Sequence, residues 1–292
     1  MASRIAAAAP VRAPLSAQGR NRAIIKAISF VLLLLFVVIW LIPFAWAVDT
    51  ALKPEAETSI VPITWWSSHF NLDAFGKVLS AGTLPRWYLN SLINSGVITI
   101  VTVVLASLIA FAFSRIRFRG RWFLFWLVMA GIMVPGQVLI VPLFTMINDL
   151  NFVDTYWGVI LPQLASPIGV FVFKQFFDGI PHELEEAAVL DGCGRFRIYW
   201  QIWMPLSKAA IAAVAIFSFV FSWNNFLWPL IVITSTEMMP LTVGLANVQS
   251  SFGLMYAQIM ASAVLAALPM LVIFALFQRQ IVQGIAGSGI KG

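Results

Sequence analysis

Long apolar runs separated by short polar connections dominate the chain. Stretches free of charge occur at Ala27–Val48, Asn90–Phe113, Trp122–Ile147, Tyr156–Phe173, Ala209–Ile233 and Leu254–Phe277. About 20 apolar residues suffice for a helix to cross ~30 Å of hydrocarbon. The pattern therefore predicts an all-α membrane protein with six transmembrane helices. The fourth stretch is the shortest and carries Pro162 and Pro167, so a kink or break is expected there. The first has a basic lead-in and an Ala45-Trp46-Ala47 that imitates a cleavage site. Its apolar run exceeds the roughly 7–15 residues of a signal core, and it reads as a retained helix.

Composition sharpens this picture. Of 292 residues, 61% are hydrophobic and 10% charged, against about 45–50% and about 25% in soluble domains. A water-soluble enzyme and a disordered chain are both excluded. The single Cys193 cannot form an internal disulfide, and His69 and His182 lie too far apart to suggest a metal-ligand set. Both histidines read as ordinary surface residues.

The net charge of +6 matters less than its placement. Basic residues collect in the leader (Arg4, Arg12, Arg20, Arg22, Lys26), the second connection (Arg115, Arg117, Arg119, Arg121), the fourth (Lys174, Arg195, Arg197, Lys208) and the tail (Arg279, Lys291). Basic loops stay in the cytoplasm. Both termini are thus expected there. The clusters read as topology anchors beside membrane lipid, with no nucleic-acid partner.

None of the six stretches holds Asp, Glu, Lys, Arg or His. Proton relays and ion-coupled carriers keep such groups inside the bilayer, and intramembrane hydrolases need an acid, base or metal set. Nor is there a phosphate-binding loop, since the one Gly-Lys pair, Gly76-Lys77, is followed by Val78. The chain reads as non-catalytic, with no catalytic or metal residues. Uphill transport would draw its energy from another polypeptide.

Polar residues within the spans are patterned. Ser91, Asn94, Ser95, Thr99 and Thr102 share one helical face; Ser218, Ser222, Asn224 and Asn225 accompany Trp223 and Trp228; Gln258 and Ser262 are four apart. Such residues glue membrane helices together or line a hydrated path. Asn94, Thr99, Gln137, Ser222, Trp223, Asn224, Asn225 and Gln258 are the candidate solute-path residues.

The fourth connection is the most informative segment. Pro181 suits a first helical position, Glu183, Glu185 and Glu186 complement the positive end of a helix dipole, and Gly192 suits a left-handed stop. A second amphipathic stretch, Arg195–Met204, runs to Pro205. The prediction is a cytoplasmic helix–turn–helix between spans four and five. Small Ala187, Ala188 and Gly192 would let another protein approach closely, with Leu184, Leu190, Ile198 and Ile202 as apolar packing positions.

Glu186-Ala187-Ala188, three residues, Gly192, nine residues, Ile202, one residue, Met204-Pro205 resembles the EAA loop of permease subunits of bacterial ABC importers. Leu is more usual than Met at position 204. Asn90-Ser91, Trp223–Leu230, Pro240-Leu241-Thr242 and the tail Gln283–Gly292 are similar to the carbohydrate branch, the maltose-permease (MalG-like) subunits. Ser288 and Gly289 depart from that branch's usual spelling.

The resemblance implies a type-1 ABC transmembrane domain over residues 86–278 with a coupling loop at 174–208, set in the bacterial cytoplasmic (inner) membrane. Around it lie a disordered tail (1–23), a first span (24–48), an extracytoplasmic connection (49–85) and a cytoplasmic Gly-rich tail (279–292). It implies a second, MalF-like permease subunit, two ATPase subunits that bind ATP and Mg²⁺, and an extracytoplasmic solute-binding (lipo)protein. This chain itself would hold no cofactor. Glu183, Leu184, Glu186, Ala187, Ala188, Asp191, Gly192, Ile202 and Pro205 are the expected ATPase-coupling residues, with Gly284–Gly292 a further contact. The implied solute is a sugar or oligosaccharide; glycerol-3-phosphate or its diesters, and then peptides or amino acids, are the alternatives. A channel, a membrane enzyme or a purely structural anchor are competing classes.

Overall fold

The computed structural model describes residues 17–62, 64–67, 69–80, 82–251 and 255–289, and among them there are helices and no strands. Three helices are long and apolar enough to cross a membrane unbroken: α1 (Ala17–Leu52), α4 (Thr83–Arg115) and α15 (Tyr256–Gly289). Short α2 (Glu55–Thr58) and α3 (Asp73–Ser80) lie between the first two.

Three helix pairs bent by more than 40° bring the candidate spans to six if each pair is one crossing; the sequence predicts a break in the fourth alone, and the third and fifth are bent as well. The third consists of Arg121–Met133, containing α5 (Arg121–Ala130), and Gly136–Asp149, containing α6 (Ile140–Asp149), turned by 94°. Pro135 stands at the break, where its missing N–H and fixed φ end the first arm. The fourth joins Tyr156–Gln163, which begins with α7 (Tyr156–Ile160), to α8 (Pro167–Asp178) at 46°. Here the two prolines act as expected, and Ser166 accepts a hydrogen bond from the Gly169 amide at 3.1 Å to cap α8.

The predicted fifth span, Ala209–Ile233, also divides. After α9 (Glu183–Leu190), α10 (Arg195–Ile198), a π turn at Tyr199–Trp203 and α11 (Met204–Leu206), the chain turns 80° into α12 (Lys208–Trp223). Asn224 donates its amide to the Val220 carbonyl at 2.8 Å, and α13 (Leu227–Val232) starts a new direction. Pro229 has no N–H for the Asn225 carbonyl, which instead accepts from Thr242 Oγ1 at 2.9 Å in α14 (Leu241–Ser251). Pro269 frees the Leu265 carbonyl inside α15 in the same way, and the Tyr88 hydroxyl donates to it.

Two terminal boundaries shift. Helix α1 begins at Ala17, inside the stretch expected to be a disordered tail, continuous with the apolar span that follows it; residues 1–16 lie outside the described residues. Helix α15 runs on from the sixth span to Gly289, so the Gly-rich tail is helical that far, and residues 290–292 lie outside the described residues.

Helix α4 is central and packs against both α8 and α12. Gly169 makes this possible: a Cβ there would sit 3.2 Å from Ala106 of α4 and 3.3 Å from Val214 of α12. The core has two parts. One gathers Trp87, Ile147, Trp223, Trp228 and Leu241, and the other Phe111, Phe125, Phe173, Phe177, Ile198 and Trp203.

Polar ties mark two ends. At one, Trp87 and Asn90 donate to the carbonyls of Thr236, Glu237 and Met239, Asp154 receives Thr234 and Ser235, and Glu55 receives the Ala257 amide. Buried Lys53 pairs there with Asp49 at 2.5 Å and donates to the Thr64 carbonyl at 2.5 Å. The other end joins Ser114 and Arg115 to residues 177–185. Odd-numbered connections thus share one end and the second and fourth share the other, as six crossings require.

Candidate functional site: the elbow and the central cavity

Helix α8 stops at Asp178, whose carboxylate accepts from Ser114 Oγ and Lys174 Nζ, each at 2.5 Å. The chain then turns through Pro181 into α9. Pro181 does not take the first helical position; His182 occupies the cap and Glu183 opens the helix, because the amides of Glu185 and Glu186 both reach the His182 carbonyl. The three acids nonetheless lie in the first turn, at the positive end of the dipole. At the other end Gly192 has φ +81°. Its amide bonds the Val189 carbonyl at 3.0 Å and the Cys193 amide bonds that of Ala188 at 2.9 Å, the paired closure of a Schellman motif.

The elbow has two faces. Inward, Ala188, Ile198, Tyr199 and Trp203 are buried, with Trp203 ring-to-ring against Phe111 and Phe177. Tyr199 and Ser107 share a buried hydroxyl hydrogen bond of 2.8 Å. Outward lie Glu183, Leu184, Glu186, Ala187, Asp191, Gly192 and Pro205, while Ile202 is half-buried. Leu190 at 88% exposure and Phe196 at 74% stand out beside Val189 and Trp200.

Three expectations change. Ala188, 6% exposed, is small to fit its own core and is not open to a visitor. Leu184 and Leu190 are exposed and belong to neither core cluster, whereas Ile198 is buried in one and Ile202 packs against it. His182 is no ordinary surface residue, since Arg115 Nη1 lies 2.6 Å from its Nδ1. Arg115, grouped in sequence with its arginine neighbours as an anchor, is turned inward; only its position at the end of the second apolar stretch distinguished it.

A cavity of about 310 Å³ opens between α4, the bend after Ala130, the α7–α8 kink and α12. Thr102, Gln163, Ser166, Ser218 and Ser222 give it hydroxyls and an amide, while Phe217 and Phe221 give it aromatic surface. Of the expected path residues, Ser222 lines it and Asn225 stands behind, donating to Gln163 Oε1 at 2.8 Å. Asn94 is 4% exposed, and neither its side-chain oxygen nor its nitrogen has a partner; Thr99 Oγ1 is likewise unpartnered.

The remaining candidates fall elsewhere. Trp223 is core, stacked on Phe219 at 5.6 Å, because the helix ends there and buries its last large side chain. Asn224 closes its own helix. Gln137 is exposed on the turn after the 94° bend, and Gln258 donates to Met255 Sδ at the start of α15. Gln163 and Ser166 went unnoticed in sequence. Their signal was the Pro162–Pro167 interval itself, where broken backbone and polar side chains coincide.

At the far end, Asp154 has φ +61° and accepts three hydrogen bonds of 3.0 Å, from the amides of Thr234 and Ser235 and from Ser235 Oγ. Burial pushes its carboxyl up, but the bonds from Ser235 and Thr234 outweigh that and hold it below the usual carboxylate range.

Residues 102–286 match the family described as "Binding-protein-dependent transport system inner membrane component". The chain is 37% identical over 264 residues to the arabinooligosaccharides transport system permease protein AraQ of Bacillus subtilis (strain 168), covering 87% of this chain and 92% of the relative. It is 32% identical over 276 residues to the sn-glycerol-3-phosphate transport system permease protein UgpE of Yersinia enterocolitica, with coverage of 92% and 98%. The diacetylchitobiose uptake system permease protein NgcG of Streptomyces coelicolor is 32% identical over 270 residues, with coverage of 91% and 88%. A chain in the crystal structure of a bacterial ABC transporter involved in the import of the acidic polysaccharide alginate superposes with a TM-score of 0.80 at 21% identity, covering 93% of this chain and 99% of that one. That likeness carries the fold.

Proposed function

Because the chain belongs to the family of inner-membrane components of binding-protein-dependent transport systems, we propose that it forms one half of the transmembrane path of an importer for a sugar or oligosaccharide. It is a non-catalytic, multi-pass permease subunit of an ABC importer, and it works with an ATPase and a substrate-binding partner. In our reading a second, MalF-like permease completes the path, two ATPase subunits hold ATP and Mg²⁺, and both termini and the elbow face the cytoplasm.

One observation carries the mechanism: the elbow's inner face is fastened to the spans while its outer face is left open, apolar and acidic. An element of that kind seats in a partner and transmits the partner's motion. Closure of the ATPase pair around nucleotide would move the seated α9, tilt α4, α8 and α12 as a packed unit, and open the path outward; hydrolysis reverses the motion.

For the solute, the cavity supports a neutral saccharide, since hydroxyls, an amide and aromatic rings line it and, among the described residues, no charged side chain does. UgpE keeps sn-glycerol-3-phosphate as the second reading. The test is uptake by proteoliposomes holding both permeases, the ATPase and the binding protein. Labelled arabinooligosaccharide is expected to enter, and entry to cease with an ATPase unable to hydrolyse ATP. Uptake indifferent to ATP would overturn the importer reading; uptake of sn-glycerol-3-phosphate alone would establish the second one.

A further inference from the structure

We propose that Arg115 is the positioning residue that makes the elbow and the central helices move as one body, so that hydrolysis by the partner is converted into opening of the path. This rests on the importer reading above and deepens it. The guanidinium ends α4 and touches three other elements. Nη2 donates to the carbonyls of Phe177 at 2.5 Å and Ile180 at 2.7 Å, closing the C-terminal end of α8. Nη1 meets the ring of His182, which caps α9, and Nε lies 4.0 Å from Glu185 Oε2 in the first turn of α9. The guanidinium carbon Cζ lies over the ring of Trp203, 4.1 Å from its centroid, in the returning arm of the elbow, and Trp203 is wholly buried.

The chemistry suits transmission better than anchoring at a lipid surface. An anchoring cation is solvated and replaceable by lysine, whereas this side chain is 2% exposed. A planar fork can bond two carbonyls and stack on an indole at once; an ammonium offers one point charge and no plane. A second polar tie from the elbow to the spans, Ser107 to Tyr199, also leads to α4. Force on α9 therefore reaches α4, and α4 brings Thr102 to the cavity wall. Without the fork, α9 stays seated on the partner by its outer face but slips against α4 and α8.

The experiment uses the reconstituted assembly with Arg115→Gln and Arg115→Lys, scoring ATPase co-purification, ATP hydrolysis and solute uptake. Both variants are expected to assemble and to hydrolyse ATP, while uptake per ATP falls about tenfold or more, the scale of losing a charge-assisted hydrogen bond. Because lysine keeps the charge, its failure to rescue points to the fork and the stacking. Overturning results are an unchanged ratio of uptake to hydrolysis in Arg115→Gln, full rescue by lysine, or loss of assembly, which would make Arg115 a folding residue only. A wild-type assembly whose uptake ignores ATP would instead sink the importer reading itself.

Discussion

Gly192 shows what one residue contributes beyond flexibility. Its φ of +81° is costly for any side chain, yet a Cβ there meets nothing within 4 Å. Gly192→Ala should then cost about 1 kcal/mol through backbone strain alone and leave coupling largely intact. Gly192→Asp adds charge on the outer face and is expected to reduce ATPase co-purification more than the alanine variant does. Pull-down of the ATPase beside thermal unfolding separates the two effects. Gly244 is the opposite case. A Cβ would fall 2.2 Å from Trp87, whose ring is held by its bond to the Thr236 carbonyl at 2.8 Å. Gly244→Ala should lower the melting temperature of the purified assembly sharply, an overpacking cost of about 1–3 kcal/mol. Asp154 adds a pH dependence. Since its folded pKa is depressed, its contribution is present above the unfolded value of about 3.9 and is lost as pH falls through the folded value. Thermal melts should show wild type exceeding Asp154→Asn at neutral pH and the margin closing in acid.

The elbow was the most legible element in sequence, because its signals are local: acids in a first turn, a glycine at a left-handed stop, a fixed spacing to Pro205. What sequence hid there was direction. Ala188 and Ala187 are identical residues one step apart, and only packing decides that one is core and the other surface. The same holds for the spans. Hydropathy located the apolar stretches, but a 94° turn at Pro135 depends on what α5 and α6 pack against. Trp223 looked like a path residue for the same reason, since an aromatic at a helix end is ambiguous until its neighbour Phe219 is placed. The exposed row of Leu190 and Phe196 yields an expectation at this scale. Leu190→Glu with Phe196→Glu should abolish ATPase co-purification and leave the melting temperature of the permease within a degree or two, as surface substitutions do.

At the scale of the whole molecule, the two ends can be assigned to sides of the membrane by chemistry. In a Cys193→Ser background, a membrane-impermeant thiol reagent applied to intact cells should label Val61→Cys and spare Leu190→Cys; the reverse pattern would invert the topology. The inward-turned Arg115 also bears on how the polypeptide is made. Its carbonyl and imidazole partners lie 62 to 67 residues further along. At translation rates of about 5–20 residues per second they emerge roughly 3 to 13 seconds later. Through that interval a cation waits at the rim of the bilayer beside a nascent helix already inserted, its eventual companions still inside the ribosome. A nascent chain interrupted before Phe177 carries that orphan charge as a mark of incompleteness, readable by any protease that surveys the membrane for unfinished work.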